Sequence, residues 1–406
     1  MPRFLIFVCF LVYLLDGLIH SMLGPLAPEM SKSLHLAISE LGPIFSANLA
    51  GQCAGLIALP LVASRTSQRT VVLVSVVGFG LAQACTALAT GADSLIVWRL
   101  ITGFFLGGCL PSCLALVTAA APAARRGLAI MILFSGYGLG ATLAGLVATG
   151  FADFGGWRMA MVAVGAASLI TAFVAAFGLR GASATSVDPV NEEGVRTSAL
   201  QIVSPRYLLG TLMLWLLFIC MLTISYCLIS WLPTLLVEVG RDRDFAALSI
   251  SVFSLGGIIA ALGVGVLIDR LGAMRTLISF LGIGTVLLYL VGQMIASASG
   301  GLLMTMLAAC GFFVLGAYGG INVVLATFYP ASLRAPGIGW SKSVGRIGTL
   351  IAPVLIGIAL GAGIAETSIM SLFALPALVA MGSLIVIATC TYWPALPSDL
   401  ATLKPR

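Results

Sequence analysis

Two pairs of residues, each spaced four apart within an apolar stretch, carry the chemistry that this sequence offers. Lys342 and Arg346 lie in RAPGIGWSKSVGRIGTLIAPVLIG, residues 334–357, and Asp16 and His20 lie in LLDGLIHSMLGPLAP, residues 14–28. Four-residue spacing places both members of a pair on one helix face. With Arg334 at the water-exposed end of its helix, Arg346 lies about 18 Å deeper at 1.5 Å per residue, near the middle of a bilayer about 30 Å thick. A charge at that depth costs at least roughly 2.5 kcal/mol, so it must face a water-filled cavity or a counter-charge. Lys342 and Arg346, with Ser343 and Gly345 at the edge of the same face, predict an anion-binding cavity. The planar fork of Arg346 suits a bidentate carboxylate, whereas Lys342 lies nearer the interface, where its stem can reach water.

Asp16 is placed at similar depth in the first apolar stretch. Burial favours a neutral carboxyl and a nearby cation favours the charged form, so a conformational change can load and unload a proton there. His20, one turn on, is placed to share or relay that proton. Arg99 opens WRLITGFFLGGCLP, whose glycines allow close helix approach and whose Pro111 allows bending. The predicted cavity lining consists of Asn48, Gln52, Tyr137, Tyr226, Ser254 and Asn322, with Trp340 beside the two cations.

The elements that position these residues follow from composition. Of 406 residues 60% are hydrophobic and 8% charged, with mean hydropathy +1.14, which excludes a soluble domain. Apolar runs long enough to cross a bilayer recur along the whole chain, and a helix is the open-ended segment that satisfies its own backbone in lipid. Breaks at polar loops predict spans at 4–27, 41–63, 70–90, 95–118, 127–150, 159–179, 207–231, 245–268, 276–297, 301–328, 337–361 and 368–393. The fold class is therefore all-α, a polytopic membrane protein with twelve transmembrane helices. The N-terminal stretch contains Asp16 and lacks a small-residue cleavage site, so it reads as a retained helix.

Charge sets the expected topology. Arg3, Arg65, Arg69, Arg125, Arg126, Arg180, Arg196, Arg206, Arg270, Arg275, Arg334, Lys404 and Arg406 fall on one side, against Lys32, Arg158, Arg241 and Arg243 on the other. The positive-inside rule then places both termini in the cytoplasm, at an inner membrane. The net charge of +6 is spread over short loops, and no basic run points to nucleic acid. The polar stretch 180–206 reads as a cytoplasmic linker between an N-terminal unit, 1–179, and a C-terminal unit, 207–406. Ser64-Arg65 with Arg69 and Asp269-Arg270 with Arg275 stand at nearly the same offset as Pro122 with Arg126 and Pro330 with Arg334. Parallel six-helix repeats follow, with a substrate site at the midplane between them. The nine cysteines all lie in apolar stretches, so neither a disulfide framework nor a metal site is expected.

GVLIDRLGAMR, residues 265–275, resembles the GxxxDRxGxxR loop signature of the major facilitator superfamily. The first-half copy retains Arg65 and Arg69 but has Pro60, Ser64, Ser67 and Gln68 in place of the other signature residues. Such loops, with Arg126 and Arg334, can latch helix ends in one conformation and release them in another. Within the superfamily the chain is similar to the aromatic acid:proton symporter group, through the DG-containing first span, YCLISWLPTLLVEVG at 226–240 and GRIGTLIAP at 345–353. Where that group's first-helix signature has a second Asp, this chain has Ile19, followed by His20. The resemblance implies a proton-coupled, monomeric importer of a small organic anion, an aromatic carboxylate, without a cofactor, and it links Arg99 with proton coupling. A drug-type exporter and a non-transporting metabolite sensor are the alternatives. Liposome counterflow separates the sensor from a transporter, and substrate charge separates the two transporters. No Walker loop, nucleophile elbow or HEXXH pattern supports an enzyme.

Overall fold

The computed structural model describes residues 2–122, 125–180 and 199–389. The core of the predicted linker, 181–198, and the segment 390–406 with Cys390, Lys404 and Arg406 lie outside the described residues. The chain forms α1 (Pro2–Ser21), α2 (Leu23–Leu34), α3 (Ile38–Arg65), α4 (Gln68–Cys85), α5 (Ala92–Ala120), α6 (Arg126–Gly150), α7 (Gly156–Gly178), α8 (Leu208–Glu238), α9 (Arg243–Leu271), α10 (Ala273–Met294), α11 (Gly300–Phe328), α12 (Ala331–Gly361), α13 (Glu366–Leu372) and α14 (Ala374–Thr389). Among the described residues twelve spans are long and apolar enough to cross a membrane, and they coincide with the predicted ones to within a few residues. Loop residues set the boundaries. Ser67 caps α4 by accepting from the backbone N–H of Thr70, and Asp242 caps α9 by accepting from that of Asp244.

The first span departs from the single helix expected over 4–27. It breaks at Met22 and continues as α2. Pro25 and Pro28 have no N–H to give to the carbonyls of Ser21 and Gly24, so the ladder is interrupted where the chain passes from bilayer depth to the far side. Pro28 lies inside α2, and His35 closes that helix in a left-handed conformation at φ 52°.

Packing repeats between the two halves. α3 packs on α5, α1 on α6 and α4 on α7; in the second half α9 packs on α11, α8 on α12 and α10 on α14. These are corresponding helices of two six-span bundles. The bundles meet along α2 with α8, α3 with α12, and α6 with α9.

The meeting is one-sided. A Cβ on Gly145 of α6 would strike the carbonyl of Ala247 on α9, and one on Gly42 of α3 would strike that of Pro353 on α12. Both contacts lie toward the ends of the helices remote from Arg69, Arg270 and Arg334. On the same far side Arg243 of α9 donates to Glu29 of α2 at 2.7 Å. At the basic end of the first bundle a cavity of about 620 Å³ lies among Arg3, Phe7, Phe10, Pro122, Arg125, Leu128 and Ile132. The contacts between bundles run from the far side to mid-depth, where a Cβ on Gly138 of α6 would meet Ile258 of α9.

Gly145→Val should therefore disfavour this conformation. Overpacking a tight contact costs about 1–3 kcal/mol, or roughly five- to a hundredfold in the population of the far-side-closed state. Double electron–electron resonance between labels at Phe154 and Leu302 should read a longer distance in the variant than in the parent.

Candidate functional site

Asp16 and His20 project from the last turns of α1, and Asn48 and Gln52 from the middle of α3. Asp16, Asn48, His20 and Gln52 are all buried, with Asp16 3% and Asn48 4% exposed. Asn48 Nδ2 lies 3.2 Å from His20 Nδ1, which joins α1 to α3. From the other bundle, Arg346 of α12 sends Nη1 across to Gln52 Oε1 at 3.3 Å and to Cys53 Sγ at 3.9 Å. The side chain of Arg346 thus bridges the two halves in the plane of the candidate site. It is also close enough to act electrostatically on Asp16, His20 and Tyr226.

Aromatic rings wall this cluster. The His20 ring meets Tyr226 of α8 edge-on at 4.8 Å and lies 6.2 Å from Tyr137 of α6. Tyr13, one turn before Gly17 on α1, packs 5.5 Å from Tyr137. Gly17 fits there because a Cβ would strike the carbonyl of Tyr137. Toward the far side Trp231 and Phe45 cross edge-on at 5.2 Å, across the bundle interface. Tyr13 and Phe45 escaped the sequence reading, because an aromatic residue in an apolar helix carries no signal that separates lining from packing.

The polar inventory of the cluster does not close on itself. Asp16 Oδ1 and Asn48 Oδ1 are buried without a hydrogen-bond partner. Among the described residues the one ion pair is Arg243 with Glu29, so Arg346 has neutral partners and no carboxylate. A cation with free donor capacity beside unpaired acceptors in a ring-lined space can take up a small anion with an aromatic body.

Several expected residues lie elsewhere. Trp340 is 48% exposed, stacks on Trp215 of α8, and continues the exposed apolar face of Ile347, Ile351, Leu355 and Ile358, so it faces away from Arg346. Lys342 is exposed, one turn nearer the basic end. Asn322 bonds back to the carbonyls of Tyr318 and Gly319 on its own helix. Ser254 is buried on α9, its hydroxyl without a partner. Arg99 is fully buried in the first bundle, where it donates to Gln83 Oε1 at 2.6 Å and to Thr86 Oγ1 at 2.8 Å. Neutral partners on α4 and just beyond it hold it inside the bundle.

The loop residues are apart from one another. Arg69 donates to the carbonyl of Ala176 at 3.0 Å, while Arg126, Asp269, Arg270, Arg275 and Arg334 are exposed and form no ion pair among the described residues. The side chain of Arg65 lies outside the described residues. The expected latch is thus not engaged among the described residues.

Known proteins share this architecture. The family model for the Major Facilitator Superfamily matches residues 9–353. The chain is 30% identical to a gallate transporter of Pseudomonas putida, over 92% of this chain and 89% of that protein. It is 29% identical to a 4-hydroxybenzoate transporter of Acinetobacter baylyi, over 91% and 87% respectively. A solved bacterial homologue of the human lysosomal transporter Spinster superimposes with a TM-score of 0.78 at 17% identity, covering 97% of this chain and 98% of its own; that likeness concerns the fold. With twelve spans among the described residues, a family match over residues 9–353 and relatives that are transporters, this chain is a multi-pass membrane protein belonging to the Major Facilitator Superfamily of transporters, not an enzyme.

Proposed function

We propose that this chain is a proton-coupled symporter that imports an aromatic carboxylate across the inner membrane, with both termini in the cytoplasm. The observation that carries the reading is Arg346, a bridging guanidinium with neutral partners alone, set beside the unpaired carboxyl of Asp16. The names of the relatives, gallate and 4-hydroxybenzoate transporters, support an aromatic acid as cargo. The units 1–179 and 207–406 rock about this site, joined by the linker 180–206, and the chain works as a monomer.

In the proposed cycle the substrate carboxylate binds Arg346 and a proton binds Asp16. Neutralising Asp16 and pairing Arg346 remove the two charges that oppose closing an apolar cavity, so the loaded carrier can change state. Closure on the basic side brings Arg69, Arg126, Arg334 and the 269–275 loop into latching distance, while Glu29 and Arg243 separate. His20 orients the amide of Asn48 and lies one turn from Asp16, within relay distance of the proton. Arg99 acts through α4 and α5, whose packing positions α3. Lys342, in the open mouth, draws anions toward Arg346.

Two outcomes test the reading in proteoliposomes. Asp16→Asn should abolish uptake driven by a proton gradient while retaining part of the exchange of substrate for substrate, since a permanently neutral residue completes the loaded half-cycle but cannot release a proton to reset the empty carrier. Equal loss of both activities would assign Asp16 to binding or folding. Arg346→Lys should weaken binding of an aromatic carboxylate about ten- to a hundredfold, the equivalent of a charge-assisted hydrogen bond of about 1.5–3 kcal/mol. Arg346→Gln should be worse and Lys342→Gln milder. Radiolabelled uptake and thermal shift on monodisperse protein measure both. Native affinity in Arg346→Gln would remove the anion site from this helix.

A further inference from the structure

The cluster has two levels. α1 and α3 run in opposite directions, so the residue pairs Asp16 with Gln52 and His20 with Asn48 form two rungs, the second lying farther from the basic side. Four residues of helix separate the rungs, about 6 Å along the membrane normal. Arg346 is tied to the first rung through Gln52. The second rung is the hydrogen bond between Asn48 and His20. That spacing is about the length of a benzene ring with one substituent at either end, and the Tyr137 and Tyr226 rings stand beside the His20 imidazole at the upper level.

The upper rung is chemically incomplete. With Asn48 Nδ2 donating to His20 Nδ1, the imidazole carries its proton on Nε2, and the amide is fixed with Oδ1 turned away from His20. That Oδ1 is buried without a partner on a residue 4% exposed. Buried amide oxygens without partners are rare in folded proteins, because each forfeits the hydrogen bonds it had in water. A carboxylate at this level would meet the acceptor oxygen of Asn48 and be repelled. A hydroxyl donates to it.

Resting on the assignment of an aromatic carboxylate to Arg346, we infer that the Asn48–His20 pair is a specificity subsite for a ring hydroxyl, so that the preferred cargo is a hydroxylated aromatic acid with its carboxylate on Arg346 and its hydroxyl donating to Asn48 Oδ1. A site built to accept that proton rejects the analogue that lacks it, since the acceptor is then buried unpaired.

The experiment is calorimetric titration of the purified full chain in nanodiscs with benzoate, 3-hydroxybenzoate and 4-hydroxybenzoate. The parent should bind at least one of the two hydroxybenzoates about tenfold or more tighter than benzoate, and the ratio should fall to within about twofold in Asn48→Leu. His20→Gln, which releases the amide from its fixed orientation, should lower the ratio partway. The readout is a ratio within each variant, so a general loss of affinity cancels, and the comparison in the parent stands even if a variant fails to fold. Benzoate bound as tightly as both hydroxybenzoates, or a preference undiminished in Asn48→Leu, would overturn the subsite while leaving the carboxylate site standing. No binding of any of the three would overturn the aromatic-carboxylate reading and the subsite with it.

Discussion

A guanidinium set deep among apolar helices without an ion-pair partner among the described residues is the constraint to which the rest of this molecule answers. Arg346 keeps its charge at any physiological pH, and its contacts are an amide oxygen and a thiol on the opposite bundle. Such contacts hold the side chain in place, but they do not neutralise it. Closing the bundles around it would strand a bare charge, a cost that the anion of the proposed cycle would remove. Glu29 and Arg243 solve the opposite problem on the far side, where an ion pair across the interface fastens helices already in contact.

Small residues let the two bundles work as separate bodies that meet at few places. Within a bundle the helices are locked by long contacts, α3 on α5 and α9 on α11 above all. Between bundles the contact runs from the far side, where Gly42 and Gly145 admit a facing carbonyl, to mid-depth, where Arg346 reaches Gln52. Three of the four cations that break the charge bias on that side have local work. Arg158 binds the carbonyls of Ala87 and Ala89, Arg241 those of Ile295, Ala296 and Ala298, and Arg243 the Glu29 carboxylate. On the basic side Arg126, Arg270, Arg275 and Arg334 are exposed, consistent with a charge bias that orients the chain rather than one that staples helices.

Much of this was readable from residue types and depth. Asp16, His20 and Arg346 stood out because a titratable or charged side chain in a long apolar run needs a reason, and Asn48 and Gln52 stood out as polar residues of the second span. The structure brings all five together. What depth could not supply was direction around the helix. Trp340 lies at the right height but on the outer face of α12, stacked on Trp215, and Asn322 spends its amide on its own backbone. The buried setting of Arg99 was not legible because its partners, Gln83 and Thr86, are separated from it by a loop, and neutral side chains announce no pairing. The Glu29–Arg243 pair was out of reach for another reason: two charges at loop ends of different bundles become neighbours only when the halves are docked.

The most direct test is a structure of the full chain in nanodiscs with a transported aromatic carboxylate bound. The carboxylate should lie within hydrogen-bond distance of the Arg346 guanidinium, in the space bounded by Asp16, Gln52, Tyr137 and Tyr226, with its ring reaching toward Asn48. Density for the ligand anywhere else, with Arg346 still resting on Gln52 and Cys53, would contradict the assignment.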